Sequence, residues 1–142
     1  MLIEVRPLTK LEFNQLLEDA PDTETRNLKK ICSNIDINSF DFFEQKAIDV
    51  EGLVINKRPI YFGAIIKSNN FNIWTFVNSN VREQFTLYKV AKITSHRWAK
   101  KYGEIFATME KVNPKNIKWT KKIGFKMMKE TDKLITFKLG GR

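Results

Sequence analysis

The stretch Asn113-Pro114-Lys115-Asn116-Ile117-Lys118-Trp119-Thr120-Lys121-Lys122-Ile123-Gly124-Phe125 constrains the fold more than any other. It reads as a strand exit, a short basic helix and a turn into another strand. Asn113 caps the helix, because its side-chain oxygen accepts a first-turn backbone N–H that lacks an intrahelical partner. Pro114 takes the first helical position, where a missing N–H costs nothing. Ile117 and Ile123 face inward, together with either Thr120 or Trp119. Lys115, Lys118, Lys121 and Lys122 stay in water. Gly124 is the left-handed stop, and Phe125 begins the next strand inside the core.

The segments before this helix supply strands and helices for it to join. Residues 2–6 alternate and end at Pro7, as a first strand does. Thr9 and Glu12 form a capping box, and Leu11, Phe13, Leu16 and Leu17 give the following helix its apolar side. Asp22 or Thr23 starts a second helix lined by Leu28, Ile31, Cys32 and Ile35. Phe40, Phe42, Phe43 and Ala47 suit a helix or an irregular packing segment. Residues 51–67 read as a hairpin turning at Asn56-Lys57, in which Gly63 marks a bulge or a close backbone approach. Residues 72–77, rich in β-branched and aromatic side chains, form a central strand.

After an Asn78-Ser79-Asn80 loop, residues 82–101 form the longest helix. Leu87, Ala91, Thr94 and Trp98 repeat at helical spacing, and Gly103 stops it. Residues 104–109 are a strand. The Asn113 helix follows, then strands at 125–128 and 134–139. The expected fold is α/β, with a mixed, mostly antiparallel sheet of six or seven strands between helices. Residues 1–139 form one domain, and residues 140–142 a frayed tail.

Composition narrows the setting. A length of 142 residues with 42% hydrophobic and 12% aromatic side chains suits a cored domain and not a disordered chain. No apolar run is long enough for a membrane span, and no signal-peptide core is present. The single cysteine, Cys32, forms no internal disulfide, and with one histidine, His96, it offers no metal cluster. A reduced, intracellular setting follows. The net charge of +9 is uneven. Residues 1–50 carry six Lys and Arg against ten Asp and Glu, whereas residues 51–142 carry nineteen against six. The basic part attracts polyanions or acidic protein surfaces, or is simply a solvated lysine-rich surface.

The 113–125 stretch resembles the last helix of the GNAT acyltransferase fold, whose pattern runs Asn, then Ile, then Gly-Phe. Asn113, Ile117, Ile123, Gly124 and Phe125 fall in register. Asn116 stands where alanine is usual, and Thr120 where the family often carries a tyrosine that protonates the departing thiolate. The element order is that of the same fold. Further stretches resemble, together with 113–125, the small GNAT-like proteins of tailed bacteriophages: residues 54–63, the run Trp74-Thr75-Phe76-Val77-Asn78-Ser79, the long basic helix that follows, and the closing Ile135-Thr136-Phe137 strand.

The resemblance implies three requirements for an active enzyme. A glycine-rich loop before the long helix lets bare backbone N–H groups cradle the diphosphate of coenzyme A. The corresponding residues 78–85 contain no glycine, and Glu83 adds a negative charge. Arg82, Gln84 and Asn113 are the residues left to hold the cofactor. A general base is needed near the central strands, and Glu104 and Glu110 are the candidates. A general acid belongs at Thr120, whose hydroxyl is a far weaker acid than a phenol.

The expectation is therefore a non-catalytic bacteriophage component, internal to the virion or acting in assembly, without a cofactor. Its partners would be other virion or assembly proteins and packaged DNA, met through a face of Lys115, Lys118, Lys121, Lys122, Lys126 and Lys129. Trp74, Trp98 and Trp119 are read as core. Its location would be the host cytoplasm, the virion or both. The first alternative is an acetyl-CoA-dependent N-acetyltransferase with a degenerate diphosphate loop. The second is a nucleic-acid binder driven by charge.

Overall fold

The computed structural model describes residues 2–20, 28–30, 32–34, 37–78, 81–112 and 114–141. The strands are β1 (Ile3–Val5), β2 (Ala47–Ile55), β3 (Arg58–Lys67), β4 (Phe71–Val77), β5 (Glu104–Glu110), β6 (Lys126–Glu130) and β7 (Leu134–Gly140). The helices are α1 (Lys10–Asp19), α2 (Ser39–Lys46), α3 (Gln84–Tyr102) and α4 (Pro114–Ile123). Residues 28–30 and 32–34 are also helical. The strands form one sheet in the order β1-β2-β3-β4-β5-β7-β6. Every pairing is antiparallel except β4 with β5. The chain is thus a single α/β domain with helices on both faces of a mostly antiparallel sheet. No described helix is long and apolar enough to cross a membrane.

Period-two alternation in the strands divides the core into two layers. On one face, Leu53, Tyr61, Ile65, Ile105, Ala107, Ile135 and Phe137 pack against Leu87, Ala91 and Trp98 of α3 and Ile123 of α4. On the other, Val54, Phe62, Ala64 and Phe76 pack against Phe13, Leu16 and Leu17 of α1 and Phe42 and Phe43 of α2. Leu28 and Cys32 complete that layer. Phe13 makes edge-to-face contacts with Phe40, Phe43, Phe62 and Phe76 at centroid distances of 4.8–6.4 Å. Such pairs add about 0.5–1.5 kcal/mol each beyond burial. They fix α1 and α2 to the β2–β4 half of the sheet.

The local signals form as the chemistry requires. The Glu12 N–H donates to Thr9 Oγ1 at 3.2 Å, and the Thr9 N–H to Glu12 Oε1 at 2.9 Å. Asn56 and Lys57 both have positive φ, 52° and 67°, as a type I′ hairpin turn demands. Gly124 stops α4 at φ 125°, and Phe125 is buried behind it.

Several expectations need correction. Leu11 is 80% exposed, because the inward stripe of α1 runs through Phe13, Leu16 and Leu17. β2 begins at Ala47, since Ala47–Val50 still find antiparallel partners in Ala64–Ile66. Gly63 is no bulge: its register with Glu51 and Thr75 is regular. It is a close approach instead, because an added Cβ would fall on the Tyr61 hydroxyl. The tail is not frayed from 140, for Gly140 pairs with Glu104 and the Gly141 N–H donates to the Gly103 carbonyl at 2.8 Å. The Asn113 cap, the start of the second helix with Ile31 and Ile35, and Ser79-Asn80 lie outside the described residues.

Candidate active site

β4 holds the central position in the sheet, yet six of its seven residues are only half-buried. A central strand covered by helices on both faces should be dry. The reason is that β4 and β5 part. Their only registered pair is Asn72 with Phe106, at the start of β4. Beyond it the strands diverge, and the ladder between residues 73–77 and 107–110 is missing. The opening is a cavity of about 610 Å³. Parallel pairing is marginally weaker per residue than antiparallel pairing, so this is the seam where the sheet parts most readily.

The cavity is lined from both layers, so it passes through the sheet. On the α3–α4 side, Ala91 and Ser95 of α3 and Asn116, Trp119 and Thr120 of α4 form its wall. On the other side, Phe42 of α2, Trp74 of β4 and Lys30 form it. Thr108, Met109 and Glu110 of β5 border it along the parted edge. Backbone donors and acceptors freed by the missing ladder face the gap, which suits an extended, amide-bearing chain lying between the strands.

The proposed chemical groups do not all converge here. Glu110, at the far end of β5, lines the cavity; Glu104 sits at the opposite end of the strand, 3.6 Å from Lys138 Nζ, and does not. Thr120 is buried in the cavity wall, but its hydroxyl donates to the Asn116 carbonyl at 2.8 Å and lies 3.7 Å from Met109 Sδ. That proton is already used, so Thr120 offers the cavity lone pairs and not an acid. Asn113 lies outside the described residues. Arg82 and Gln84 stand at the start of α3, both exposed. Gln84 Nε2 donates to the Val81 carbonyl at 2.8 Å and so closes the loop on itself. His96 packs beside α4, with Nε2 2.9 Å from the Ile123 carbonyl.

The described residues before α3 do not line the opening. Val81 and Asn78 are buried, whereas the Arg82, Gln84 and Phe85 side chains are exposed. The first helical bond runs from the Leu87 N–H to the Glu83 carbonyl, and Glu83 makes no side-chain cap bond. A helix start without a cap attracts an anion, although the Glu83 carboxylate opposes it.

The six lysines read as one face do not form one. Lys115, Lys118, Lys121 and Lys122 lie on α4, against the α3 side of the sheet. Lys126 and Lys129 pair with Lys138 and Thr136 across β7, on the face opposite Phe137. Of the tryptophans, only Trp98 is full core; Trp74 and Trp119 are half-buried and line the cavity. Ser95, Asn116 and Trp74 were missed as site residues. The one available signal was Ala91 and Ser95, two small residues one turn apart on the inner stripe of α3.

No family model matches the chain, and no curated protein does. Solved structures do. The PaiA N-acetyltransferase of Thermoplasma acidophilum, solved in complex with coenzyme A, superposes with a TM-score of 0.68 at 15% identity, over 99% of both chains. A GNAT-family acetyltransferase of Bacillus anthracis gives 0.67 at 11%, over 99% of this chain and 95% of its own. The N-acetyltransferase PseH of Campylobacter jejuni gives 0.63 at 12%, over 99% of both. The chain therefore has the GNAT fold. These findings overturn the expectation of a non-catalytic phage virion or assembly component: the three structures just named are acetyltransferases of cellular organisms, and the cleft is open. They favour the acetyltransferase alternative. Likeness to tailed-phage proteins in particular gains no support from them.

Proposed function

We propose that the chain is an acetyl-CoA-dependent N-acetyltransferase whose reaction takes place in the cleft between β4 and β5. One observation carries this reading: a sheet whose other strand pairs hold extended antiparallel ladders opens at the β4–β5 seam, and chemical groups from both helix layers meet in the opening. The fit is good for the pantetheine arm, because the unpaired edges of β4 and β5 can bond its amides as a missing strand would. It is poorer for the diphosphate, where Arg82 and the uncapped start of α3 attract and Glu83 repels.

Acetyl-CoA, when bound, supplies an acetyl group activated as a thioester. Asn116 and Thr120 on α4, with Ala91 and Ser95 on α3, would hold the arm. Glu110 is the carboxylate that lines the cleft among the described residues, and it takes the role of general base. The acceptor amine, entering past Trp74 and Phe42, sheds a proton to Glu110 as its nitrogen forms the new C–N bond. The C–S bond breaks in exchange, and the proton ends on the free thiol. A thiol is acidic enough, near 8.5 in the case of cysteine, to leave without a strong acid at Thr120.

The test is release of free thiol from acetyl-CoA in the presence of a panel of primary amines. The wild-type protein should turn over at least one amine. Glu110→Gln should lower kcat by about 10²–10⁴-fold with little change in acetyl-CoA affinity. Absence of both turnover and acetyl-CoA binding would end the proposal.

A further inference from the structure

α3 and α4, the two helices that wall one side of the cleft, carry no acidic residue. Between them they hold nine Lys and Arg: Lys89, Lys92, Arg97, Lys100 and Lys101 on α3, with all four lysines of α4. Only two are neutralised locally. Arg97 bonds Glu51 and Lys101 bonds Asp49, each at 3.0 Å. The other seven are exposed and form no ion pair among the described residues. The helices are also joined, for the Tyr88 hydroxyl donates to the Lys122 carbonyl at 2.9 Å. Lys122 and Lys92 lie over the same Tyr88 ring, 4.7 and 5.8 Å from its centroid. The result is one continuous cationic layer.

This layer is larger than the diphosphate of coenzyme A needs, while the place that should meet the diphosphate is poorly made for it. Residues 78–85 offer no glycine, and Glu83 stands at the head of α3. A pantetheine thioester also occurs on acidic carrier proteins, where a single phosphate joins the arm to a serine and the acidic surface lies around it. Such a donor asks for an open cleft, few bare amides for phosphate, and a broad field of lysines beside the entrance. α4 has this geometry on a single helix: Asn116, Trp119 and Thr120 line the cleft, and Lys115, Lys118 and Lys122 lie on its outer side.

We infer that the α3–α4 lysine layer docks a small acidic carrier protein, whose acyl-phosphopantetheine arm enters the β4–β5 cleft as an acyl donor. The inference rests on the proposed acyltransferase site. Its bond changes are the same: the acyl carbon exchanges the carrier's sulfur for the acceptor nitrogen, and the carrier leaves with a free thiol. Opposite charge would speed docking by 10-fold to 10³-fold at low salt, and screening would remove the gain.

The test compares an acetylated, phosphopantetheine-loaded acyl carrier protein with acetyl-CoA as donors to one accepted amine. Both are run with wild type and with Lys115→Glu/Lys118→Glu. Carboxylates are tolerated in the first turns of a helix, so the variant should keep α4 intact. The expected result is transfer from the carrier protein, weakened by salt, with its KM raised about 10-fold or more in the variant. The acetyl-CoA KM should change by less than about threefold, because the two substituted side chains lie outside the cleft. Transfer from acetyl-CoA alone would overturn the inference and leave the active site standing. An equal loss with both donors would also overturn it, since the lysines would then serve any small anion. Equally tight binding of an unrelated RNA would make the layer a general polyanion surface and overturn it. Transfer from neither donor would remove the inference together with the site on which it rests.

Discussion

Tyr61 is fully buried, and its hydroxyl has no hydrogen-bond partner among the described residues. Burial, followed by the charge of Glu51, pushes the phenol well above its ordinary value, so it stays neutral. The hydroxyl lies where a Cβ on Gly63 would sit. Two outcomes follow. Gly63→Ala should cost about 1–3 kcal/mol through overpacking, read as a lower denaturant midpoint. Tyr61→Phe should be neutral or stabilising, because an unsatisfied buried donor is removed, and it should restore part of the loss in the Gly63→Ala background. Equal losses in single and double variants would refute this packing. Glu12 gives the pH dependence. Arg6, with bonds of 2.8 Å to each carboxylate oxygen, and then Thr9 hold its carboxyl down to about 2, against burial, from an ordinary 4.5. The folded form therefore binds this proton more weakly than the unfolded chain. The contribution is complete above about pH 4.5 and is lost as pH falls toward 2. Acid unfolding of Glu12→Gln should be flatter across that window, with stability lower than wild type at pH 7.

At the scale of single elements, most of the secondary structure is legible because each signal is local. The Thr9–Glu12 box, the Asn56-Lys57 turn, the glycines at 103 and 124 and the Leu87–Ala91–Thr94–Trp98 stripe all formed where their chemistry placed them. Failures arose where a partner distant in sequence decides. Ala47–Val50 are strand only because Ala64–Ile66 accept them, and Gly140 is ordered only because Glu104 lies beside it. Lys57 keeps a left-handed φ of 67° that a lysine side chain resists. Lys57→Gly should therefore raise stability by up to about 1 kcal/mol, a gain visible in thermal unfolding. A loss would mean that the lysine side chain contributes more than its backbone strain costs.

For the whole molecule, the cleft was the least legible feature. The β4 sequence Phe-Asn-Ile-Trp-Thr-Phe-Val reads as an ordinary buried strand. Nothing in it announces that the ladder to β5 stops after Asn72. The missing glycines before α3 pointed to a blocked cofactor site, yet Arg82 and Phe85 are exposed, Gln84 bonds back to the loop's own backbone, and the cavity stays open. Glu110 and Thr120 were legible as candidates by their places in the resemblance; the aromatic wall of Phe42 and Trp74 depends on a helix packing across the sheet, which no local pattern encodes. The central claim is that this seam receives a pantetheine thioester. Its most direct test is an amide NMR titration of the protein with acetyl-CoA. The account predicts saturable shift changes at residues 73–77 and 107–110, at Asn116 and at Thr120, with the amides of β1 and α1 unmoved. Saturation without any change along the parted edges of β4 and β5, or no binding at all, would contradict it.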